Sequence, residues 1–99
     1  MPLPVRLHPK ALEEAEAAVS WYRGRSALAA LRFLDELDSA ISQLAFNPSG
    51  HALFEGTTRR IVLPHFPYML IFRERAAWVE VIAIAHRRRR PGYWRERLN

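Results

Sequence analysis

The chain has no cysteine among its 99 residues. A disulfide framework and a thiolate zinc site, the two usual supports of very small domains, are therefore excluded. Long apolar runs are also absent, and the N-terminus, from Met1 to Arg6, lacks the basic and then apolar pattern of a secretory signal. We therefore expect a soluble cytoplasmic protein with no membrane-spanning segment.

Several motifs of enzymes that bind nucleotides or metals are missing. The sequence has no GxGxxG fingerprint, no Walker loop for phosphates and no HExxH. Its four histidines, at positions 8, 51, 65 and 86, are scattered, and no pair of acids stands near them at the spacing of metal ligands. We expect no metal site and no cofactor.

Lysine is almost absent. Lys10 is the only one, against fourteen arginines and ten acids, and the formal net charge is +5. Six of the acids lie in the first forty residues, whereas beyond residue 56 ten arginines face only three glutamates. Arginine suits planar, bidentate contacts with phosphates or carboxylates. The C-terminal half should therefore carry a positive field that attracts an anionic partner.

A chain of this length makes one domain, residues 1–99, with enough buried surface for a core. Val5 and Leu7 alternate with polar residues, which predicts a short strand. Helical spacing of apolar residues and Pro9 predict a first helix through residue 23, and Ser26 can cap a second one. The tight link between them predicts an antiparallel hairpin. The predicted apolar faces are Leu12, Ala15, Val19 and Tyr22 on the first helix and Leu31, Leu34, Leu37, Ile41 and Leu44 on the second.

From residue 57 the apolar pattern changes to a period of two and to short apolar runs. Strands are predicted at residues 59–63, 68–74 and 78–85. The links between them are too short for parallel crossovers, so the strands should pair as an antiparallel meander. A short final helix is expected near Pro91. The order of elements predicts an α+β domain: an N-terminal strand and a helical hairpin packed on an antiparallel sheet, then a short C-terminal helix.

The last fourteen residues, HRRRRPGYWRERLN, follow directly on an apolar run. A strand that ends at His86 would deliver four arginines and two aromatic rings to one edge of the domain. Such an edge suits a phosphate backbone or an acidic partner. A plainer interpretation is that the arginines are a solvated strand end and the rings pack a terminal helix onto the domain. The candidates for contact with a target or a nucleic acid are Arg59, Arg60, Arg87, Arg88, Arg89, Arg90, Tyr93 and Trp94.

The same residue types can cleave RNA without a metal, because the 2'-hydroxyl of the RNA serves as the nucleophile. The reaction needs a base, an acid for the leaving 5'-oxygen and fixed positive charge on the transition state. Histidine, tyrosine and arginine can supply these functions. On the alternative interpretation, His86 only ends its strand with a hydrogen bond to a neighbouring backbone carbonyl. The catalytic candidates are Arg60, His86, Arg87 and Tyr93.

The order of elements and the segment from Arg60 to Arg97 resemble the RelE/ParE superfamily of toxins from bacterial type II toxin-antitoxin systems. The resemblance covers nearly the whole chain. It implies a growth-inhibiting toxin that a small cognate antitoxin holds inactive, with an acidic C-terminal antitoxin segment lying across the basic half. The features that carry it are the initial strand, the helical hairpin with Trp21-Tyr22, Arg60, Phe66-Pro67-Tyr68 and His86-x-x-Arg89-x-Pro91-x-Tyr93-Trp94.

The resemblance implies one of two targets. RelE-like toxins cleave mRNA on the ribosome with arginines, lysines and a C-terminal tyrosine or histidine, whereas ParE-like toxins poison DNA gyrase without a catalytic set. Arg87, six residues before Tyr93, is similar to the arginine and tyrosine pair of the nucleases. Residues 68–71 carry no arginine where that pattern has one, and no lysine lies near the first strand of the meander. We therefore predict a ParE-like gyrase poison, with an mRNA endoribonuclease and a non-toxic RNA-binding module as alternatives.

Overall fold

Four strands, two helices and two short 3-10 turns follow one another in the computed structural model, which describes all residues from 1 to 99. The α+β class, both helices and all four strands are as predicted. The elements are, in order, β1 (Val5–Leu7), α1 (Pro9–Arg23), α2 (Ala27–Phe46), a 3-10 turn (Pro48–Gly50), β2 (Arg59–Val62), β3 (Tyr68–Glu74), β4 (Val79–His86) and a second 3-10 turn (Arg95–Leu98).

The strands form one sheet in the order β1-β4-β3-β2. β2, β3 and β4 pair antiparallel in chain order, which confirms the predicted meander. β1 pairs parallel with β4, with Val5 opposite Val79 and Leu7 opposite Val81. A parallel pair requires a long crossover connection, and the helical hairpin supplies it. The sheet is therefore mixed rather than purely antiparallel, and β4, one of its two interior strands, ends at His86.

Local signals set where both helices begin. Pro9 occupies the first turn of α1, where a backbone N–H has no partner within the helix, and the His8 ring accepts a hydrogen bond from the Lys10 N–H at 3.1 Å. The Ser26 hydroxyl caps α2 by accepting from the Ala29 N–H at 3.2 Å. The two helices pack together as the predicted hairpin. Neither helix is both long enough and apolar enough to cross a membrane.

The buried faces of the helices differ from the predicted stripes. Leu12 is 50% exposed and Leu31 is 59% exposed, so the prediction that they belong to the core is wrong. Ala11 and Phe33 are fully buried in their place. Both helices carry apolar residues on more than one side, so helical spacing alone does not show which side faces the sheet.

Both faces of the sheet are covered. On one face the helices pack against Leu70 and Phe72. On the other face Ile71 and Ile82 pack with Trp94 from the end of the chain. β4 is therefore buried on two sides, which explains its nearly continuous apolar sequence. Helices on one face are as predicted, and Trp94 packs onto the domain as the plainer interpretation of the C-terminal rings expects, but the sequence did not indicate that it covers the second face of the sheet.

Residues 87–99, which we call the C-terminal segment, consist mostly of turns. The expected short helix is a single 3-10 turn, Arg95–Leu98, and it begins four residues after Pro91. Gly92 has a φ of +75°, a left-handed conformation that glycine adopts easily and that interrupts helical geometry. The turns bring Trp94 against the sheet and return Arg97 to α1.

Candidate functional site

Four consecutive exposed arginines, Arg87 to Arg90, form a turn where β4 ends, and we call them the arginine turn. The Arg87 N–H donates to the Pro67 carbonyl at 2.8 Å, and the Arg89 N–H donates to the His86 carbonyl at 3.0 Å. The backbone of the turn is thus fixed to the β2–β3 loop and to the strand end. None of the four guanidinium groups forms an ion pair with a carboxylate. The turn therefore presents uncompensated positive charge at one end of the sheet.

His86 is the last residue of β4 and is half-buried beside the arginine turn. Its Nδ1 accepts a hydrogen bond from the Arg88 N–H at 3.0 Å, and its ring meets the Tyr68 ring edge to face at 5.0 Å between centroids. An N–H donor requires an unprotonated acceptor, so the ring is held with its proton on Nε2. His86 thus ends its strand with a local backbone bond, as in the alternative interpretation, but the ring accepts from an N–H instead of donating to a carbonyl.

Tyr93 is held by Glu14. The Tyr93 hydroxyl donates to Oε2 of Glu14 at 2.6 Å, and the Arg89 guanidinium lies 3.9 Å from the centre of the Tyr93 ring. Burial and the neighbouring carboxylate raise the pKa of Tyr93 far above its ordinary value of 10. A phenol that already donates to a carboxylate and has a raised pKa is a poor proton donor to a leaving group. The arrangement gives no support to Tyr93 as a catalytic acid.

Glu14 on α1 joins three parts of the chain. Besides the Tyr93 hydroxyl, its carboxylate accepts from Nη1 and Nη2 of Arg97 at 2.8 and 3.0 Å and from the Ile84 N–H at 3.0 Å. The side chain of Glu14 is 15% exposed and that of Arg97 is 10% exposed. Burial raises the pKa of Glu14, but the hydrogen bonds from its three partners outweigh burial and hold the pKa below its ordinary value of 4.5. This ion pair fixes the C-terminal segment against α1 and β4.

The role of Glu14 has no counterpart in the sequence prediction. Glu13 and Glu16 lie beside it on α1, and the local pattern does not distinguish the three acids. Both neighbours are exposed, whereas Glu14 lies partly buried under the C-terminal segment. The available signal is helical spacing: Glu14 follows Ala11 by three residues and precedes Ala18 by four, which places it on the buried face.

The two arginines at the start of β2 differ in their surroundings. Nη1 of Arg59 donates to the His51 carbonyl at 2.5 Å, and its Nε lies 3.8 Å from a carboxylate oxygen of Glu74. Arg60 is exposed, and its guanidinium lies 4.6 Å from the centre of the Phe54 ring. Arg59 is therefore partly neutralised within the protein, whereas Arg60 keeps its hydrogen-bond donors free.

Three of the four catalytic candidates, His86, Arg87 and Tyr93, line one small hollow, and Arg60 starts from a different strand. Arg60 on β2 lies opposite Ile71 on β3, and Ile71 lies opposite Ala83 on β4, three residues before His86. Two strand spacings and three residues along β4 therefore place the Cα atoms of Arg60 and His86 about 14 Å apart. The Arg60 guanidinium lies over the Phe54 ring, and Phe54 itself lines this hollow. Positive charge is present on this side of the molecule. Nδ1 of His86 and the Tyr93 hydroxyl, two of the groups that could accept or donate a proton, are both engaged within the protein.

Trp94 belongs to the core. It is 2% exposed and packs with Ile71 and Ile82 against the sheet. This burial leaves no face of the Trp94 ring for a partner. It corrects the prediction that Trp94 contacts a target or a nucleic acid. The plainer interpretation, in which the aromatic rings pack the end of the chain onto the domain, describes Trp94.

An aromatic groove of about 420 Å³ lies between α1 and the end of β4. Trp21 and Tyr68 are among its walls, and His86 and Arg89 also line it. Trp21 is 52% exposed and carries the Arg25 guanidinium 3.5 Å from its ring centre. Aromatic walls with positive charge beside them suit a partner segment that combines apolar and acidic side chains.

Comparisons with known proteins give the family of this fold. A family model described as the ParE toxin of type II toxin-antitoxin system, parDE, matches residues 5–91. A chain from a structure of the chromosomal ParDE toxin-antitoxin system of P. aeruginosa has the same fold, with a TM-score of 0.74 and 16% identity over 85% of this chain and 95% of that chain. No curated protein matches the chain. Because the family model spans nearly the whole sequence, the chain belongs to the ParE toxin family of type II toxin-antitoxin systems.

Proposed function

We propose that this toxin poisons DNA gyrase and that a cognate antitoxin holds it inactive. The observation that favours gyrase over mRNA is the engagement of the candidate catalytic groups within the protein. The Tyr93 hydroxyl donates a hydrogen bond to Glu14, and Nδ1 of His86 accepts one from the Arg88 N–H. A toxin that acts by binding a protein target needs neither group free. Action on gyrase also places the chain in the bacterial cytoplasm.

The surface of the helical hairpin supports an amphipathic antitoxin segment as the neutralising partner. Trp21, Leu28 and Leu31 of the helical hairpin are 52%, 55% and 59% exposed. A partner helix or extended segment could bury these side chains. Acidic residues of the same segment could then meet the arginine turn, so charge complementarity favours a small acidic antitoxin.

A supercoiling assay with purified gyrase tests the proposal. The chain is expected to stop supercoiling, and the antitoxin is expected to restore it. Cleavage of ribosome-bound mRNA with no effect on gyrase would establish the endoribonuclease instead. Unimpaired growth of cells that express the chain without antitoxin would favour the non-toxic RNA-binding module, which the family match disfavours.

Two substitutions separate target binding from RNA cleavage. As a gyrase poison, the chain should keep its inhibitory activity with His86→Ala or Tyr93→Phe, because neither residue supplies a reacting group. As an endoribonuclease, it should lose toxicity with either substitution while antitoxin binding survives. Tyr22→Phe, in the same groove as Tyr93, is the matched control for the loss of a phenol hydroxyl. Thermal unfolding of each variant distinguishes lost activity from lost fold.

A further inference from the structure

A strongly basic hollow lies between the start of α1 and the arginine turn, and we call it the basic cleft. It measures about 490 Å³, and Tyr93 is its only hydrophobic lining residue. The fold brings Lys10 together with Arg89 and Arg90 there, although they lie near opposite ends of the sequence. The remaining lining residues are His8, Glu96 and Arg97.

Two of the arginines in the basic cleft are positioned by other side chains. Arg97 is bound by the Glu14 carboxylate, so its charge is already compensated. Arg89 lies over the Tyr93 ring at 3.9 Å. Stacking on a ring orients a guanidinium but does not use its N–H donors, which point outward in the plane of the guanidinium. Arg89 therefore remains able to bind an anion.

The other two cations of the basic cleft are free. Lys10 and Arg90 are both exposed, and neither forms an ion pair within the protein. Glu96 is the only carboxylate among the lining residues, and it also forms no ion pair. Lys10, Arg89 and Arg90 therefore leave a local excess of positive charge with unused hydrogen-bond donors.

We propose that the basic cleft and the adjoining arginine turn bind the phosphate backbone of duplex DNA. The inference rests on the proposed gyrase target, because gyrase acts on DNA. Lysine and arginine with free donors are the groups that proteins use to contact phosphates. Arg87 and Arg88 continue the positive charge to the other side of the turn, where they line a hollow with His65.

An acidic antitoxin segment fits the basic cleft less well than DNA does. Amphipathic segments bind through apolar anchors, and among the lining residues only Tyr93 offers such a contact. The exposed apolar side chains that suit these anchors, such as Leu28 and Leu31, lie on the helical hairpin. Binding to a phosphate backbone requires positive charge and donors but no apolar surface.

Fluorescence anisotropy with a short labelled DNA duplex measures this contact on the full chain, without gyrase. Affinity should fall steeply as salt rises, because each neutralised phosphate releases counterions. Lys10→Ala and Arg90→Ala should each weaken binding on the order of ten-fold at about 0.1 M salt and reduce the salt slope by about one. Arg75→Ala is the matched control, because it removes the same charge from an exposed position in the β3–β4 turn, at the opposite end of β4.

Three results would overturn the inference. The first is equal weakening by Arg75→Ala, which would mean that net charge alone attracts DNA. The second is tighter binding of an RNA duplex or of polyglutamate than of DNA, which would assign the basic cleft to another class of partner. The third is that the wild-type chain inhibits gyrase, but either binds no DNA or binds DNA with an affinity that Lys10→Ala and Arg90→Ala leave unchanged. Cleft-dependent DNA binding with gyrase unaffected would instead refute the gyrase proposal alone.

Discussion

On folding, the Glu14 carboxylate loses hydrogen bonds to water and accepts four from the protein. The donors are the Ile84 N–H, the Tyr93 hydroxyl and two nitrogens of Arg97. Taking a carboxylate and a guanidinium out of water is costly, and only near-complete hydrogen bonding offsets that cost. The donors come from β4 and from the C-terminal segment, whereas Glu14 lies on α1. One side chain therefore couples the position of the C-terminal segment to the rest of the fold.

Replacement of Glu14 by glutamine should lower the free energy of unfolding by about 2–4 kcal/mol. The amide keeps the shape of the side chain, but it leaves the Arg97 guanidinium, which is 10% exposed, without a countercharge. Equilibrium unfolding in urea measures the change. Glu13→Gln, at an exposed position of the same helix, should change the free energy of unfolding by less than about 0.5 kcal/mol. Equal effects of the two substitutions would contradict the role of the buried ion pair.

At the scale of single elements, one side-chain hydroxyl, that of Ser26, caps the N-terminus of helix α2. Because Ser26 satisfies the Ala29 N–H, Ser26→Ala should destabilise the protein by about 1 kcal/mol. Ser42→Ala, at an exposed position within the same helix, should be neutral or stabilising by up to about 0.5 kcal/mol, since alanine is the better helix former. Thermal unfolding compares the two variants. Identical melting temperatures would show that the cap does not stabilise α2.

The contact between the C-terminal segment and α1 should weaken in acid. Burial raises the pKa of Glu14, but the hydrogen bonds that its carboxylate accepts lower the pKa by more than burial raises it. The pKa in the folded protein therefore lies below the ordinary 4.5. As the pH falls, the unfolded chain therefore takes up a proton at this position before the folded one does. The stabilisation by Glu14 is complete above about pH 5 and is lost progressively as the pH falls through the folded pKa.

The measurement is the urea midpoint between about pH 5 and pH 3, which should fall more steeply in the wild type than in Glu14→Gln. Glu55→Gln is the control. The Glu55 carboxylate pairs with Arg95 at the surface, and this pair lowers its pKa, but solvent screens the interaction. The Glu55→Gln profile should therefore follow the wild type. Equally steep profiles for the wild type and Glu14→Gln would show that other carboxylates dominate the acid response.

The elements could be predicted because short-range signals mark them. Pro9 and Ser26 mark the helix starts, and turn residues bound each apolar run of the sheet. The buried helix faces could not be predicted reliably, as the exposure of Leu12 and Leu31 shows. Which side of a helix faces the sheet depends on strands that lie far away in the sequence. The parallel pairing of β1 with β4 depends on distant residues in the same way.

The candidate site could be located from the sequence, but the state of its groups could not. Arginines that follow an apolar strand must leave the sheet, so an exposed basic edge was predictable. The bond between Glu14 and Tyr93 joins residues 79 positions apart, and no local pattern indicates it. The burial of Trp94 and the place of Lys10 in the basic cleft also arise only from the tertiary fold.

For the molecule as a whole, the C-terminal segment is both a candidate contact surface and part of the core. Its arginine turn faces outward, whereas Trp94 and Leu98 cover the second face of the sheet. Without that cover, Ile71 and Ile82 would meet water, and Glu14 would lose two of its partners. Loss of toxicity on shortening the chain would therefore not by itself identify a target contact.

Removal of residues 91–99 should abolish toxicity by unfolding the protein. The loss of a buried tryptophan alone costs about 3–5 kcal/mol, and a domain of this size is stable by only about 5–15 kcal/mol. Thermal unfolding followed by circular dichroism should show no cooperative transition. The control combines Arg87→Ala with Arg88→Ala, which removes charge but leaves the core intact, and it should unfold near the wild-type temperature. If the shortened chain unfolds cooperatively and yet leaves gyrase active, the C-terminal segment acts through contact with the target rather than through the fold.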